Sequence, residues 1–303
     1  MKKIFLGILS LTFVFTSCNN DDDNDNDNNS TSNLTLNLNG LEDLGADFNY
    51  EGWLLVGGVP VSTGLFTVNA NGILSSTSFE VPTETITAAT KFILTIEPNP
   101  DPDPEPSAQK LIAGDFNGNN TADVSTATQP AVGDFSTAAG NFFLRTPTDE
   151  PAGTDNNGND QYGVWFGLPG MPPTATLDLP TLPDGWIYEG WVIGDAGPLS
   201  TGTFSSVDEM DDNAGLSTSF GGTENAGPPI PGEDFFNNAP AGETFPLDIR
   251  GRTVVVTVEP VPDNSPLPFT LKPLAAVAGT ETAPSFNDFA LNLGSFPSGT
   301  VSR

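Results

Sequence analysis

Four glutamates stand where carboxylate chemistry could be built. Glu51 and Glu189 each lie inside Tyr-Glu-Gly-Trp, and Glu97 and Glu259 each close a hydrophobic run just before Pro98 and Pro260. Paired carboxylates about 5 to 9.5 Å apart serve as acid and base in glycoside cleavage. The same glutamates could instead accept backbone N–H bonds within or at the end of a strand, where a buried carboxylate must be partnered. Because the pattern is written twice with the same residues, the framework role is the expected one, and no catalytic residue is assigned.

A second constellation is the acidic and amide-rich stretch from Gly114 to Asp123. Asp115, Asn117, Asn119 and Asp123 have the alternating oxygen donors of a calcium loop, and calcium asks for six to eight oxygens. Asn120 and Thr126 stand where such a loop would carry glycine and glutamate, so an Asx-rich turn competes with the metal site and is favoured. Asp155 to Asp160 and Asp208 to Asp212 are weaker versions. Calcium is thus the one cofactor candidate.

Histidine is absent and Cys18 is the only cysteine. That removes Ser-His-Asp and Cys-His catalysis, imidazole metal sites and any disulfide within the chain. With 39 acidic against 9 basic residues, the formal net charge is −30. Such a balance repels nucleic acid and anionic membrane surfaces. It is compatible with solubility in a salty medium, or with cations or a basic partner.

The elements that must position these residues are short runs of β character punctuated by Gly, Pro, Asn and Asp. Tyr50, Glu51, Gly52, Trp53, then Ser62-Thr63-Gly64 and Phe66, then Phe92 to Pro98 form one block. Tyr188, Glu189, Gly190, Trp191, then Ser200-Thr201-Gly202 and Phe204, then Val254 to Pro260 form its copy. A tandem repeat is the direct explanation. Tyr50, Leu54 and Val56 face one way and Trp53 and Leu55 the other, which predicts a central strand covered on both faces. Ser-Thr-Gly predicts a turn, with Gly64 and Gly202 at positive φ and Phe66 and Phe204 opening the next strand. Thr35 to Leu38, Thr176 to Leu179 and Asn287 to Leu293 alternate as strands do. Gly140 to Pro147 and Tyr162 to Gly167 read as two more. No window carries a clean helical stripe, so helix should be minor. The proline-rich tails after Pro98 and Pro260 predict stiff polyproline crossovers between sheets. Phe235 and Phe236, in an insertion of the second copy, predict a plug at the end of a sandwich or an exposed binding loop.

At the amino end, Met1-Lys2-Lys3 precedes an apolar run from Ile4 to Phe15. This run is shorter than the about 20 residues that a bilayer of about 30 Å requires. It resembles a bacterial lipoprotein signal with cleavage before Cys18 and lipid on that residue, although Phe15 stands where the motif prefers leucine. The acidic stretch after Cys18 resembles the surface-export signal of Bacteroidetes lipoproteins, and residues 18–33 are expected to form a disordered tether.

The repeated block also resembles the extracytoplasmic domain of anti-sigma-K factors of the RskA type. The resemblance rests on Tyr50, Trp53, Ser62, Gly64, Thr95, Glu97 and Pro98, and again on Tyr188, Trp191, Ser200, Gly202, Thr257, Glu259 and Pro260. It implies a β-sandwich outside a membrane, in proteins that regulate a sigma factor. The sequence shows neither the family's cytoplasmic sigma-binding domain nor its transmembrane helix, and Pro-Asp alternation replaces the Gly-Gly pair after Glu-Pro. The resemblance therefore covers the outer module alone.

These readings predict an all-β chain of two tandem immunoglobulin-like antiparallel β-sandwich domains. The expected division is a signal peptide over 1–17, the lipidated Cys18 and tether over 18–33, sandwiches over 34–168 and 175–303, and a linker over 169–174. The expected function is a non-enzymatic binding, sensing or structural module. It would be anchored in the outer membrane through Cys18 and exposed at the cell surface, or else held on the periplasmic side. An extracellular protein or glycan is the ligand class in view, and nucleic acid is not. The alternatives are a carboxylate-dependent carbohydrate-active enzyme and a regulatory lipoprotein that contacts an anti-sigma system. A localised function is expected in what the copies do not share, the extension over 115–168 and the insertion over 205–250.

Overall fold

The computed structural model describes residues 30–151, 157–212, 219–263 and 265–303. The expected leader, Cys18 and the acidic part of the expected tether lie outside the described residues. The fold is all-β and antiparallel. Among the described residues no helix is long and apolar enough to cross a membrane.

The first block supplies β1 (Thr31–Asn39), β2 (Phe48–Val56), β3 (Val59–Phe66), β4 (Ser78–Pro82), the short helix α1 (Thr83–Ala88), β5 (Ala89–Pro98), β6 (Lys110–Asp115) and β7 (Thr121–Ser125). Two further strands follow, β8 (Asn141–Leu144) and β9 (Gly163–Trp165). The second block supplies β10 (Trp186–Ile193), β11 (Pro198–Phe204), β12 (Gly232–Asp234), β13 (Thr253–Pro260) and β14 (Leu274–Val277). The chain closes with β15 (Asn287–Asp288), β16 (Ala290–Leu291) and β17 (Ser298–Ser302).

One eight-stranded sheet runs β3-β2-β5-β6-β7-β17-β1-β4. It folds back on itself: its outermost strands β3 and β4 touch. Alternation on β1 sends Leu34, Leu36 and Leu38 inward, where they join Tyr50, Leu54, Phe92 and Leu94 of β2 and β5 in one core. Removing such side chains from water is worth about 1.5–3 kcal/mol each. The other face of β2 and β5 is closed by Trp53, Ile93, Ala113 and Ala131. The repeated strand is therefore covered on both faces, as its apolar pattern requires.

The second half is a sandwich of a five-stranded sheet, β11-β10-β13-β14-β16, and a four-stranded sheet, β12-β9-β8-β15. Phe166, which follows β9, meets Phe204 of β11 at 6.3 Å and Phe289 at 5.8 Å between ring centroids, and Phe142 of β8 meets Phe289 at 4.8 Å. Such tilted aromatic contacts add to the area they bury.

Strand pairing departs from the expected division at 169–174 in two places. β8 and β9, assigned by sequence to the first sandwich, pair with β15 and β12 of the second half. Conversely β17 leaves the second half and inserts between β1 and β7, with Leu36 opposite Val301 and Asp123 opposite Thr300. The expected linker is a tight turn in which Leu168 and Thr174 exchange backbone bonds of 2.8 and 3.0 Å. The apolar core runs without interruption through both halves.

Smaller expectations are also corrected. Thr31 to Asn33, placed in the tether, belong to β1 because edge strand β4 offers them partners and Ser32 Oγ lies 2.8 Å from Thr83 Oγ1. The proline-rich tails cross between no sheets, since β5 pairs with β6 and β13 with β14 directly. Thr176 to Leu179 makes only an isolated bridge, Ala139 to Asp178. Asn287 to Leu293 divides into β15 and β16, on different sheets. Phe235 is fully buried against Phe220 and Phe245, which makes it a plug.

Candidate functional site

The repeated block builds the same knot twice. Ser-Thr-Gly is no turn but a β-bulge: Gly52 opposes Gly64 while Trp53 opposes Ser62, so Thr63 is the extra residue on β3. In the copy, Gly190 opposes Gly202, Trp191 opposes Ser200, and Thr201 is extra. A bulge bends its strand and asks for unusual backbone angles, and Gly64 and Gly202 take φ of 122° and 124°. Thr63 folds over the partner strand and donates to Gly52 O at 2.9 Å. A β-carbon on Gly52 would stand 2.5 Å from that hydroxyl, and one on Gly190 would collide with Thr201 and the Phe166 ring. Glycine in Tyr-Glu-Gly-Trp is a consequence of the bulge.

Each glutamate is bonded within this knot. Trp53 Nε1 donates to Thr95 Oγ1 at 2.9 Å, Thr95 Oγ1 donates to Glu97, Ser107 N donates to Glu97 Oε1 at 2.9 Å, and Ser62 Oγ donates to Glu51. In the copy, Trp191 Nε1 donates to Thr257 Oγ1 at 2.8 Å, Ser200 Oγ donates to Glu189, and Phe269 N reaches Glu259 Oε1 and Oε2 at 3.0 and 3.2 Å. Tyr50 and Tyr188 stack on Phe66 and Phe204 with the same 5.5 Å separation. Burial raises all four carboxylates above the usual range, Glu189 to about 7 and Glu259 to about 8, with the bonded hydroxyls and N–H groups opposing it. Desolvation disfavours the ionised form, and in each copy the neighbouring acids reinforce it.

A cleft lies between the halves. Tyr50 Oη donates to Glu42 O at 3.0 Å, and Asn99 donates to Asp47 O at 2.7 Å and Ala46 O at 2.9 Å, which pins the β1–β2 loop beside β2. The β13–β14 loop of the second half comes up against it: Thr270 Oγ1 donates toward Gly40 O at 3.1 Å, and Gln109 Nε2 donates to Val261 O. Between the loops opens a cleft of about 330 Å³. Five acidic residues, Glu42, Asp43, Asp47, Glu259 and Asp263, line it together with the apolar Leu44, Phe48, Ile96 and Phe269. Burial pushes Glu42 up to about 7 and raises Asp263 as well. Lys272 stands close enough to lower Glu42, but its Nζ donates to the carbonyls of Pro268 and Phe269 at 3.1 and 2.5 Å, and burial depresses its own proton affinity.

Glu51, Glu97, Glu189 and Trp191 therefore serve the framework, and Glu259 serves both framework and cleft wall. The calcium candidates do not assemble. Asp115 pairs with Lys91 at 2.8 Å, Asn117 takes a left-handed turn at φ 47°, and Asp123 lies exposed on β7. Among the described residues no group of three or more acidic, cysteine or histidine side chains could hold a metal ion. Asp155 and Asn156, from a weaker candidate, lie outside the described residues. The extension over 115–168 and the insertion over 205–250 meet each other, and an open hollow of about 480 Å³ lies where they meet, lined among others by Arg145, Glu150, Met171, Asn225 and Pro228. Thr148 donates from N and Oγ1 to Asp234 Oδ2 at 2.8 and 2.5 Å, and Trp165 Nε1 donates to Asp234 Oδ1 at 2.9 Å. The sequence reading missed Glu42, Asp43, Asp47, Asp263 and Lys272. The available signal was that Asp263 and Lys272 flank the Glu-Pro tail.

In comparison with known proteins, no family model matches the chain, and no curated protein or solved structure does.

Proposed function

We propose that this chain is a non-enzymatic binding protein of the cell envelope, tethered through lipid on Cys18, with its binding cleft between the β1–β2 and β13–β14 loops. The bonding of the four repeated glutamates carries this reading. Each accepts hydrogen bonds from the strands that hold it or from the loop that follows, in the same plan twice, which is the signature of framework and not of an acid and base poised over a substrate. The junction cleft, by contrast, combines an apolar side with polar groups, the usual composition of a ligand site. The leader and the resemblance to an extracytoplasmic sensor module support placement outside the cytoplasm.

Replacing Glu51 and Glu189 together by alanine tests the non-enzymatic reading. The double variant is expected to lose thermal stability, because Ser62, Ser200 and the bulges lose their acceptors. A variant that stays folded with an unchanged melting temperature, yet loses hydrolysis of a glycan that the parent cleaves, would reverse the assignment. Protease treatment of intact cells tests the placement: removal of the protein supports surface display, and survival until lysis assigns the periplasmic side.

A further inference from the structure

We infer that the junction cleft takes the side chain of a lysine or arginine from a basic protein segment, its stem against Phe48 and Phe269 and its cationic head among Glu42, Asp43, Asp47 and Asp263. The inference rests on the binding reading above and names its ligand. Three observations carry it. Among the described residues, five acidic residues and no lysine or arginine line the cleft. The nearest cation, Lys272, spends its Nζ on two carbonyls and makes no ion pair within 4.0 Å among the described residues. Finally, a buried carboxylate oxygen on the cleft wall, Asp263 Oδ2, has no hydrogen-bond partner among the described residues.

Buried acceptors are almost always satisfied, so an orphaned carboxylate oxygen beside a cavity asks for a donor that enters from outside. An N–H donor with a positive charge answers both the missing bond and the excess of negative charge. The apolar side excludes a bare hydrated ion as the best fit, because Phe48 and Phe269 would remain unfilled; a four-carbon or guanidino-propyl stem covers them while its head reaches the acids. A chain of net charge −30 also draws a basic partner toward this face.

Titration of the full lipid-free chain with acetyl-Gly-Lys-Gly-amide and with the same peptide carrying norleucine in place of lysine tests the inference, followed by amide chemical shifts. The expected result is saturable shifts at Gly45, Ala46 and Phe269 with the lysine peptide, at least about tenfold weaker binding of the norleucine peptide, and weakening in high salt. Asp263→Asn should weaken the lysine peptide by about tenfold and leave the norleucine peptide unchanged. Should that variant fold poorly, the exposed pair Asp43→Asn with Asp47→Asn gives the same reading. Equal binding of both peptides at the cleft overturns the inference and leaves the binding function standing. Failure of both to shift any cleft amide overturns the inference and the cleft with it.

Discussion

Glu51 and Glu189 occupy the same place in two copies of one strand pair, yet Glu51 keeps 7% of its surface exposed and Glu189 none. Their local bonds are alike: serine to the first glutamate, threonine to the second, tryptophan to that threonine. Within the block the bulge threonines differ, since Thr63 donates to Gly52 O while Thr201 Oγ1 is buried with no partner among the described residues, and the rest of the difference lies outside it. In the first copy Asp101, after Glu97, is exposed to solvent, whereas in the second its counterpart Asp263 is half-buried against the β1–β2 loop. A duplicated sequence thus reproduces hydrogen bonds, while proton affinity and cleft formation are set by what packs against each copy. Both Glu-Pro tails reach the junction, since Gln109 beyond the first donates to Val261 of the second, but only the second brings its aspartate, Asp263, into the cleft wall.

The comparison can be tested at its strongest point first. Trp53→Ala and Trp191→Ala should each cost about 3–5 kcal/mol in urea unfolding, since both rings are buried and each removes a donor to a buried threonine. If the two costs differ by more than about 2 kcal/mol, the knots are not equivalent frameworks.

Proton linkage gives the next largest effect. The raised carboxylates keep a proton in the folded chain that the unfolded chain loses above about pH 4.5, so stability should fall as pH rises from there toward about 8. The slope is about 1.4 kcal/mol per pH unit for each proton so held. Glu189→Gln with Glu259→Gln should flatten that slope and raise the melting temperature at pH 8. Glu51→Gln with Glu97→Gln should flatten it less. Equal flattening by the two pairs would erase the electrostatic difference between the copies.

The smallest effect concerns the hairpin from Asp115 to Asp123, which has no counterpart beyond the second Glu-Pro strand. Millimolar calcium is expected to leave the melting temperature unchanged, because Asp115 is engaged by Lys91. A rise that Asp115→Asn abolishes would restore a metal site there.

Local features were legible in the sequence to the extent that they depend on neighbours along the chain. The two-faced strand at Tyr50 to Val56, the positive φ of Gly64 and Gly202, and the strands at 141–144 and 163–165 follow from residue pattern. The bulge was hidden, because Ser-Thr-Gly satisfies the requirements of a turn as well as those of an extra residue in a ladder. Strand partners were hidden too: nothing in Ser298 to Ser302 distinguishes a strand of the second half from one that crosses to β1. Likewise Glu42, Asp43 and Asp263 look like ordinary solvated acids until two loops distant in sequence close around them. The glutamates of the repeat drew notice as chemistry because their company is conspicuous, and the same company is what holds them as framework.

The position of β17 bears on how such a chain comes into being. Thr35 must wait for Ser302, and the carbonyls of Ile86 and Ala89 for the guanidinium of Arg303, which also lies 4.3 Å from the centre of the Phe116 ring. A polypeptide emerging amino end first, from a ribosome or through a membrane pore, would therefore hold β1 and β7 apart with their facing edges open until every strand between β7 and β17 had arrived. Unpaired edges of this kind invite strangers. β17 acts as a latch, and β1 and β7 become safe only when this much later strand has reached them.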